Sequence, residues 1–265
     1  MKHLQLTLGT PAENLALDEA LLDAAEAREI SHCVLRLWEP ADYCVILGRS
    51  SNTAAEVDLH ACRQANVPVL RRSSGGGAIV AGPGCLMYAV ILDYANYPQL
   101  RAVDLAHKHV LGRLAESLTP RVPSVAFAGT SDLVMQTVDL EAAQIESGLL
   151  QKFSGNALRI KRTHFLYHGT LLYDFELPLI SKLLVKPSRQ PAYRQDRSHA
   201  QFVTNLPLDR EEIELALIEG WGAHPALSTW PRSRVETLIQ NRYDADSNWT
   251  LFHPCSDPSS GNPQS

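Results

Sequence analysis

The stretch from Arg71 to Leu92 constrains this chain more than any other. Val67-Pro68-Val69-Leu70 reads as a strand delivering Arg71-Arg72-Ser73-Ser74-Gly75-Gly76-Gly77. Beyond Gly82-Pro83-Gly84 lies an unbroken apolar run, Leu86 to Leu92. A run of that kind suits a strand buried on both faces. Glycine admits positive φ and lets a ligand approach the backbone, whose N–H groups can cradle an anion. Neighbouring arginines add fork-shaped charge. On its own, however, a triple glycine is more simply a hairpin with solvated arginines.

The surrounding pattern mixes strands and helices without a regular βαβ alternation. Thr10-Pro11-Ala12-Glu13 has the form of a capping box with proline in the first turn. It predicts a helix from Pro11 to about Arg28. Asp18 and Glu19 lie within it, more simply as structural or solvated acids than as mechanistic ones. Strands are expected at Cys33–Trp38, Tyr43–Gly48, Val67–Leu70, Leu86–Leu92, Asp132–Val138 and Phe165–Leu172. One more, Leu149 to Phe153, is expected to break at Ser154-Gly155-Asn156.

Helices are expected at Asp58–Asn66, Gln99–Leu118 and Glu176–Leu184, after Asp209, and after Pro231. His107 and His109 then fall on different faces, as surface histidines. Residues 139–148 read as a loop or short helix, and the tail from His253 to Ser265 as disordered. The fold class is α+β: a mixed, largely antiparallel sheet flanked by helices.

Composition narrows the function. Among 265 residues, 45% are hydrophobic and the formal net charge is −5. That argues against a general nucleic-acid binder. No apolar run approaches the roughly 20 residues that cross a bilayer, and no secretory leader is evident. We expect a cytoplasmic protein without membrane or nucleic-acid partners. The five cysteines are scattered and form no C-x-x-C pair, so neither a zinc site nor a redox motif is indicated.

Three islands place polar or charged groups beside glycine: Arg71 to Gly77, Gly129-Thr130-Ser131-Asp132, and Lys152-Phe153-Ser154-Gly155-Asn156-Ala157 continuing to His168-Gly169-Thr170. Arg-Arg-x-Ser-Gly-Gly-Gly, Lys-x-Ser-Gly-Asn-Ala and His-Gly-Thr-Leu-Leu, in this order, resemble the lipoate–protein ligase family. That family lies within the biotin/lipoate ligase and octanoyltransferase superfamily. The resemblance spans about residues 10 to 206.

It implies a ligase-like catalytic domain over residues 1–206, with residues 207–252 as a helical extension packed on it. The implied reaction has two steps: ATP activates lipoate or octanoate as acyl-AMP, and a lysine of a lipoyl carrier domain then accepts the acyl group. The resemblance makes Lys152 the essential cation. Arg71, Arg72, Ser74, Gly75, Gly76, Gly77, His168 and Gly169 would serve the acyl group, with Arg71 orienting the loop. Ser131, Asp132, Ser154, Gly155, Asn156 and Thr170 would serve the nucleotide, with Asp132 also a ligand for its Mg2+. Family members often carry Asn-Asp where this chain has Ser131-Asp132. The short segment after Leu206 leaves room for a separate accessory subunit.

Two rivals remain. One is an ATP-independent octanoyl or lipoyl transferase, which needs an activated thiolate near Ala126-Phe127, where this chain has none. The other is a non-catalytic protein of the same fold that binds lipoate or a carrier domain.

Overall fold

The computed structural model describes residues 1–137, 149–185, 191–243 and 247–254. Its strands are β1 (Lys2–Gln5), β2 (Val34–Trp38), β3 (Cys44–Leu47), β4 (Val69–Arg71), β5 (Ile79–Ala81), β6 (Cys85–Asp93), β7 (Val125–Ala128), β8 (Asp132–Thr137), β9 (Leu149–Ile160), β10 (His164–Leu172) and β11 (Thr250–Phe252). Its α-helices are α1 (Pro11–Glu26), α2 (Thr53–Glu56), α3 (Leu59–Gln64), α4 (Val103–Leu118), α5 (Pro178–Leu183), α6 (His199–Phe202), α7 (Arg210–Trp221) and α8 (Arg232–Leu238). One sheet has the order β1-β2-β6-β10-β9-β8-β7 and the other β11-β4-β3-β5. Among the described strands, β1–β2 and β3–β4 pair in parallel and the other pairs are antiparallel. The α+β expectation holds.

The apolar run of β6 is explained by two cores. Cys85, Met87, Ala89 and Ile91 pack on the side of α1 and the smaller sheet. Leu86, Tyr88, Val90 and Leu92 pack on the other side, against α4 and α7. Period-2 alternation therefore sends every residue from Cys85 to Leu92 into one core or the other. On β10, Leu166 and Leu172 share the α1 core, so His168 and Thr170 between them face the same way. The α1 start is as expected: Thr10 and Glu13 complete the capping box.

Three expectations need correction. Strand β9 does not break at Ser154-Gly155-Asn156; it runs unbroken through them to Ile160. Pairing to β8 on one side and β10 on the other satisfies the backbone there, which overrides the turn-like composition. His107 is buried, not superficial, and its Nδ1 lies 2.7 Å from the Tyr167 hydroxyl. The helix expected from Gln99 is instead a 3₁₀ turn over Pro98–Arg101 followed by α4. The expectations for residues 139–148 and for the end of the tail lie outside the described residues.

The final segment contributes to both layers. Helix α7 packs on α4 and α8 on α1, while β11 pairs antiparallel with β4.

Candidate active site

The smaller sheet presents the loop between β4 and β5; the larger sheet faces it with β8, β9 and β10. The glycine loop folds back onto its own arginine. Arg72 Nη2 donates to the carbonyls of Gly75 (2.6 Å) and Gly77 (2.9 Å), and Nη1 donates to that of Ile46 (3.1 Å). Burial draws this guanidinium down to about 10, so it remains charged near neutral pH. Gly76 has φ +85°, and a Cβ there would lie 2.9 Å from Arg72 Nη2. Arg71 diverges to donate to the carbonyls of Gly48 (2.7 Å) and Ser51 (3.0 Å), tying the end of β3 to the loop.

Beneath the loop runs a buried chain of side chains. Ser74 Oγ accepts from Arg72 Nε at 3.0 Å and lies 2.6 Å from His168 Nε2. His168 Nδ1 is 3.1 Å from Asp18 Oδ2, and Asp18 Oδ1 accepts from Arg36 Nη1 at 2.5 Å. With the proton of His168 assigned to Nδ1, every donor meets an acceptor: Arg72 to Ser74, Ser74 to His168, His168 to Asp18. Burial alone would raise the Asp18 carboxyl, but Arg36 and His168 together hold it below the ordinary range. The connectivity is that of a serine nucleophile triad. Ser74, however, has no exposed surface, and its oxygen already serves Arg72. The chain braces the loop.

Lys152 is the fourth residue of β9, opposite Val134 of β8. Its Nζ is 2.7 Å from Asp132 Oδ1, while Asp132 Oδ2 accepts from the Tyr193 hydroxyl at 2.7 Å. Gly155 makes room for the lysine: a Cβ there would come 3.1 Å from Nζ. Asn156 binds the remaining pieces together. Its Nδ2 donates to the Ser131 carbonyl (2.9 Å) and to Ser154 Oγ (3.0 Å), and its Oδ1 accepts from Tyr88 Oη. Gly155 N–H donates to Thr170 Oγ1 at 3.2 Å.

Two adjoining cavities open here. The smaller, about 160 Å³, has apolar walls of Leu15, Ile46, Met87 and Ala157, with Arg72 and His168. The larger, about 670 Å³, includes Glu56, Ser154, Thr170, Arg194 and Phe202. Gly76, Gly77, Asp132, Lys152 and Gly155 border both. Of the other expected site residues, Ser131, Asn156 and Gly169 border the smaller cavity only. Arg71, Ser74 and Gly75 border neither and act as supports.

Sequence reasoning missed Tyr193 and Arg36; Arg194 it read only as part of a basic, proline-punctuated segment, Lys186 to His199, either solvated or able to close over phosphate. A charge inside the apolar run Val34–Trp38 was the available signal for Arg36, because buried charge demands a partner.

The residues present do not make a protein cage for Mg2+. Both Asp132 oxygens are engaged, and no group of three or more His, Cys, Asp or Glu suited to a metal occurs among the described residues. The described thiols are equally removed from the chemistry. Burial pushes Cys33 and Cys62 up to about 11, Cys44 to about 12 and Cys85 higher still, and none lines either cavity.

Two sheets thus close on a lysine–aspartate pair beneath an arginine-clamped glycine loop in an α+β domain. Residues 10–216 match the family model described as lipoyl protein ligase A/B catalytic domain, and the chain belongs to that family. It is 31% identical over 196 residues to a probable lipoate-protein ligase A of Mycoplasma genitalium, covering 74% of this chain and 53% of the relative. To a putative lipoate-protein ligase A of Schizosaccharomyces pombe it is 26% identical, covering 89% of this chain and 59% of that one. The chain thus spans a little over half the length of these relatives.

Among solved structures, a bi-partite lipoate protein ligase described with its E2 lipoyl domain, from Thermoplasma acidophilum, shares the fold at a TM-score of 0.72. Its sequence identity is 21%, with 93% of this chain and 95% of that one covered. A lipoate-protein ligase A bound with ATP matches at 0.71 and 21% identity, covering 94% and 98%. No helix among the described residues is long and apolar enough to cross a membrane.

Proposed function

We propose that this protein is an ATP-dependent lipoate–protein ligase. In this reading it activates lipoate or octanoate as acyl-AMP and transfers the acyl group to a lysine of a lipoyl carrier domain. One observation carries it: Lys152, held by Asp132, borders both of two adjoining cavities, a smaller one walled in part by Leu15, Ile46, Met87 and Ala157 and a larger one of mixed apolar and polar lining. An acyl tail suits the first cavity and a nucleotide the second, which brings a carboxylate and an α-phosphate together at the lysine.

In the first step a carboxylate oxygen forms a bond to the α-phosphorus while the bond to the β-phosphate bridging oxygen breaks, releasing pyrophosphate. Two anions must approach, and fixed positive charge at their junction offsets the repulsion. Lys152 supplies that charge, and Asp132 and Tyr193 fix its position. In the second step the acceptor amine attacks the acyl carbon, loses a proton and displaces AMP.

The relatives' names and the ATP-bound neighbour support this reading over the transferase alternative. So does the placement of the described thiols away from both cavities. Mg2+ enters as the ion accompanying ATP.

The test combines pure protein, ATP, Mg2+, lipoate or octanoate, and a lipoyl carrier domain. Pyrophosphate release reads activation, and the carrier's mass reads transfer. Lys152→Ala is expected to lower kcat/KM by about 10²–10³-fold, the scale seen when an electrostatic donor is removed. Acylation from an acyl-carrier donor without ATP would refute the ligase reading. Activation without transfer would point to an accessory subunit.

A further inference from the structure

We infer that Arg194 contacts a phosphoryl group of the nucleotide in the larger cavity, an assignment that rests on the ligase reading above. The argument is a census of positive charge. Arg72 borders only the smaller cavity, and its three guanidinium nitrogens are spent on Ser74 and on the carbonyls of Ile46, Gly75 and Gly77. Arg71 borders neither cavity. Lys152 is already matched by Asp132. Apart from His199, whose charge depends on protonation, the remaining cation of the larger cavity among the described residues is Arg194.

Arg194 is 4% exposed, and the nearby carboxylates of Asp132 and Asp196 act on it through space. Its Nε donates to the Arg197 carbonyl at 3.0 Å, and the guanidinium lies 4.8 Å from the Phe202 ring centroid. Its Nη2 is buried with no hydrogen-bond partner. A buried donor left without an acceptor is costly, and an arriving phosphoryl oxygen removes that cost. A planar fork of donors also matches phosphate oxygens better than a point charge does.

The backbone holds the residue in this position. Gln195 and Asp196 both adopt left-handed φ, at 51° and 57°, in the turn that leads to Arg197. The preceding residue, Tyr193, donates its hydroxyl to Asp132, and Arg197 Nη2 donates to the Leu150 carbonyl at 3.0 Å. This guanidinium, with its unbonded Nη2, thus adjoins the Lys152–Asp132 pair.

Calorimetric titration of the full chain with ATP, inorganic pyrophosphate and lipoate, each alone, tests the assignment in wild type, Arg194→Gln and Arg194→Lys. In Arg194→Gln the Kd for ATP is expected to rise about 10- to 100-fold, the range of a lost charge-assisted hydrogen bond. Lipoate affinity should stay within twofold of wild type, which also reports that the site is intact. Arg194→Lys should recover part of the ATP affinity. ATP binding within twofold of wild type in Arg194→Gln would overturn the inference, as would equal losses for ATP and lipoate in both variants. Wild-type protein that binds ATP but forms no acyl-adenylate would refute the ligase reading and leave the Arg194 comparison standing. Wild-type protein that binds neither ATP nor pyrophosphate would overturn both.

Discussion

Asp18 serves two partners with one carboxylate: Arg36 on one oxygen and His168 on the other. Arg36 has no exposed surface, so the pair sits in low dielectric. Removing one member of a buried pair is far costlier than the pair's net worth, because the other is left charged and unmatched. Asp18→Asn is expected to destabilise the fold by about 3–5 kcal/mol, measured by urea unfolding at pH 7. The sign with pH follows from the depressed carboxyl pKa. Its contribution is full above the ordinary value of 3.8 and is lost as pH falls through the folded-state value. The gap between wild type and variant should therefore narrow in acid, and a gap that widens there would contradict the ion-pair account. At this scale the sequence named Lys152, Arg72 and His168 but could not name what holds them. Asp18 and Arg36 are 18 positions apart, and only the packing of α1 on the sheet joins them.

Strand β9 shows why elements were harder to read than residues. Ser154-Gly155-Asn156 has the composition of a turn, yet each residue has work inside a continuous strand. Gly155 clears Lys152, and Asn156 lies opposite Gly169 in the β9–β10 register. That register decides Gly169 as well: a Cβ there would lie 1.9 Å from Asn156 Oδ1 and 2.7 Å from the Gly155 carbonyl. The Asn156 amide can yield only by giving up its hydrogen bonds, and the Gly155 carbonyl only by moving the strand that carries Lys152. Gly169→Ala should cost at least the about 1–3 kcal/mol typical of overpacking. It should also loosen the Asn156 contact to Ser131, so thermal unfolding and activation rate would fall together. A variant with wild-type stability would show that the Asn156 amide swings aside freely. The glycines of the loop were legible because their neighbours are arginines. The glycine in β10 was legible only through family resemblance, since its reason for being small lies on another strand.

On the scale of the whole molecule, the site is a seam between two sheets, and the smaller sheet depends on the end of the chain. Strand β11 pairs with β4 through Thr250–Leu70 and Phe252–Val69, and Arg71 N–H donates to the Trp249 carbonyl at 2.8 Å. Strand β4 delivers Arg71 and Arg72, so the glycine loop is held from below by residues some 180 positions later in the sequence. The same segment is tied to α1, where Arg242 pairs with Glu19 and lies over the Trp249 ring. A chain ending at Tyr243 loses β11, the burial of Phe252 and the Trp249 contacts. Burial of one large aromatic side chain is worth about 1.5–3 kcal/mol. At about 2–4 °C per kcal/mol for a domain of this size, Tm should fall by about 3–12 °C. The loop should suffer more than the Lys152 strand, which belongs to the other sheet. Lipoate affinity is therefore expected to drop further than ATP affinity in the shortened chain, as read by paired titrations. Equal losses would mean that the two sheets fail together, and an unchanged Tm would mean that β4 holds the loop without β11.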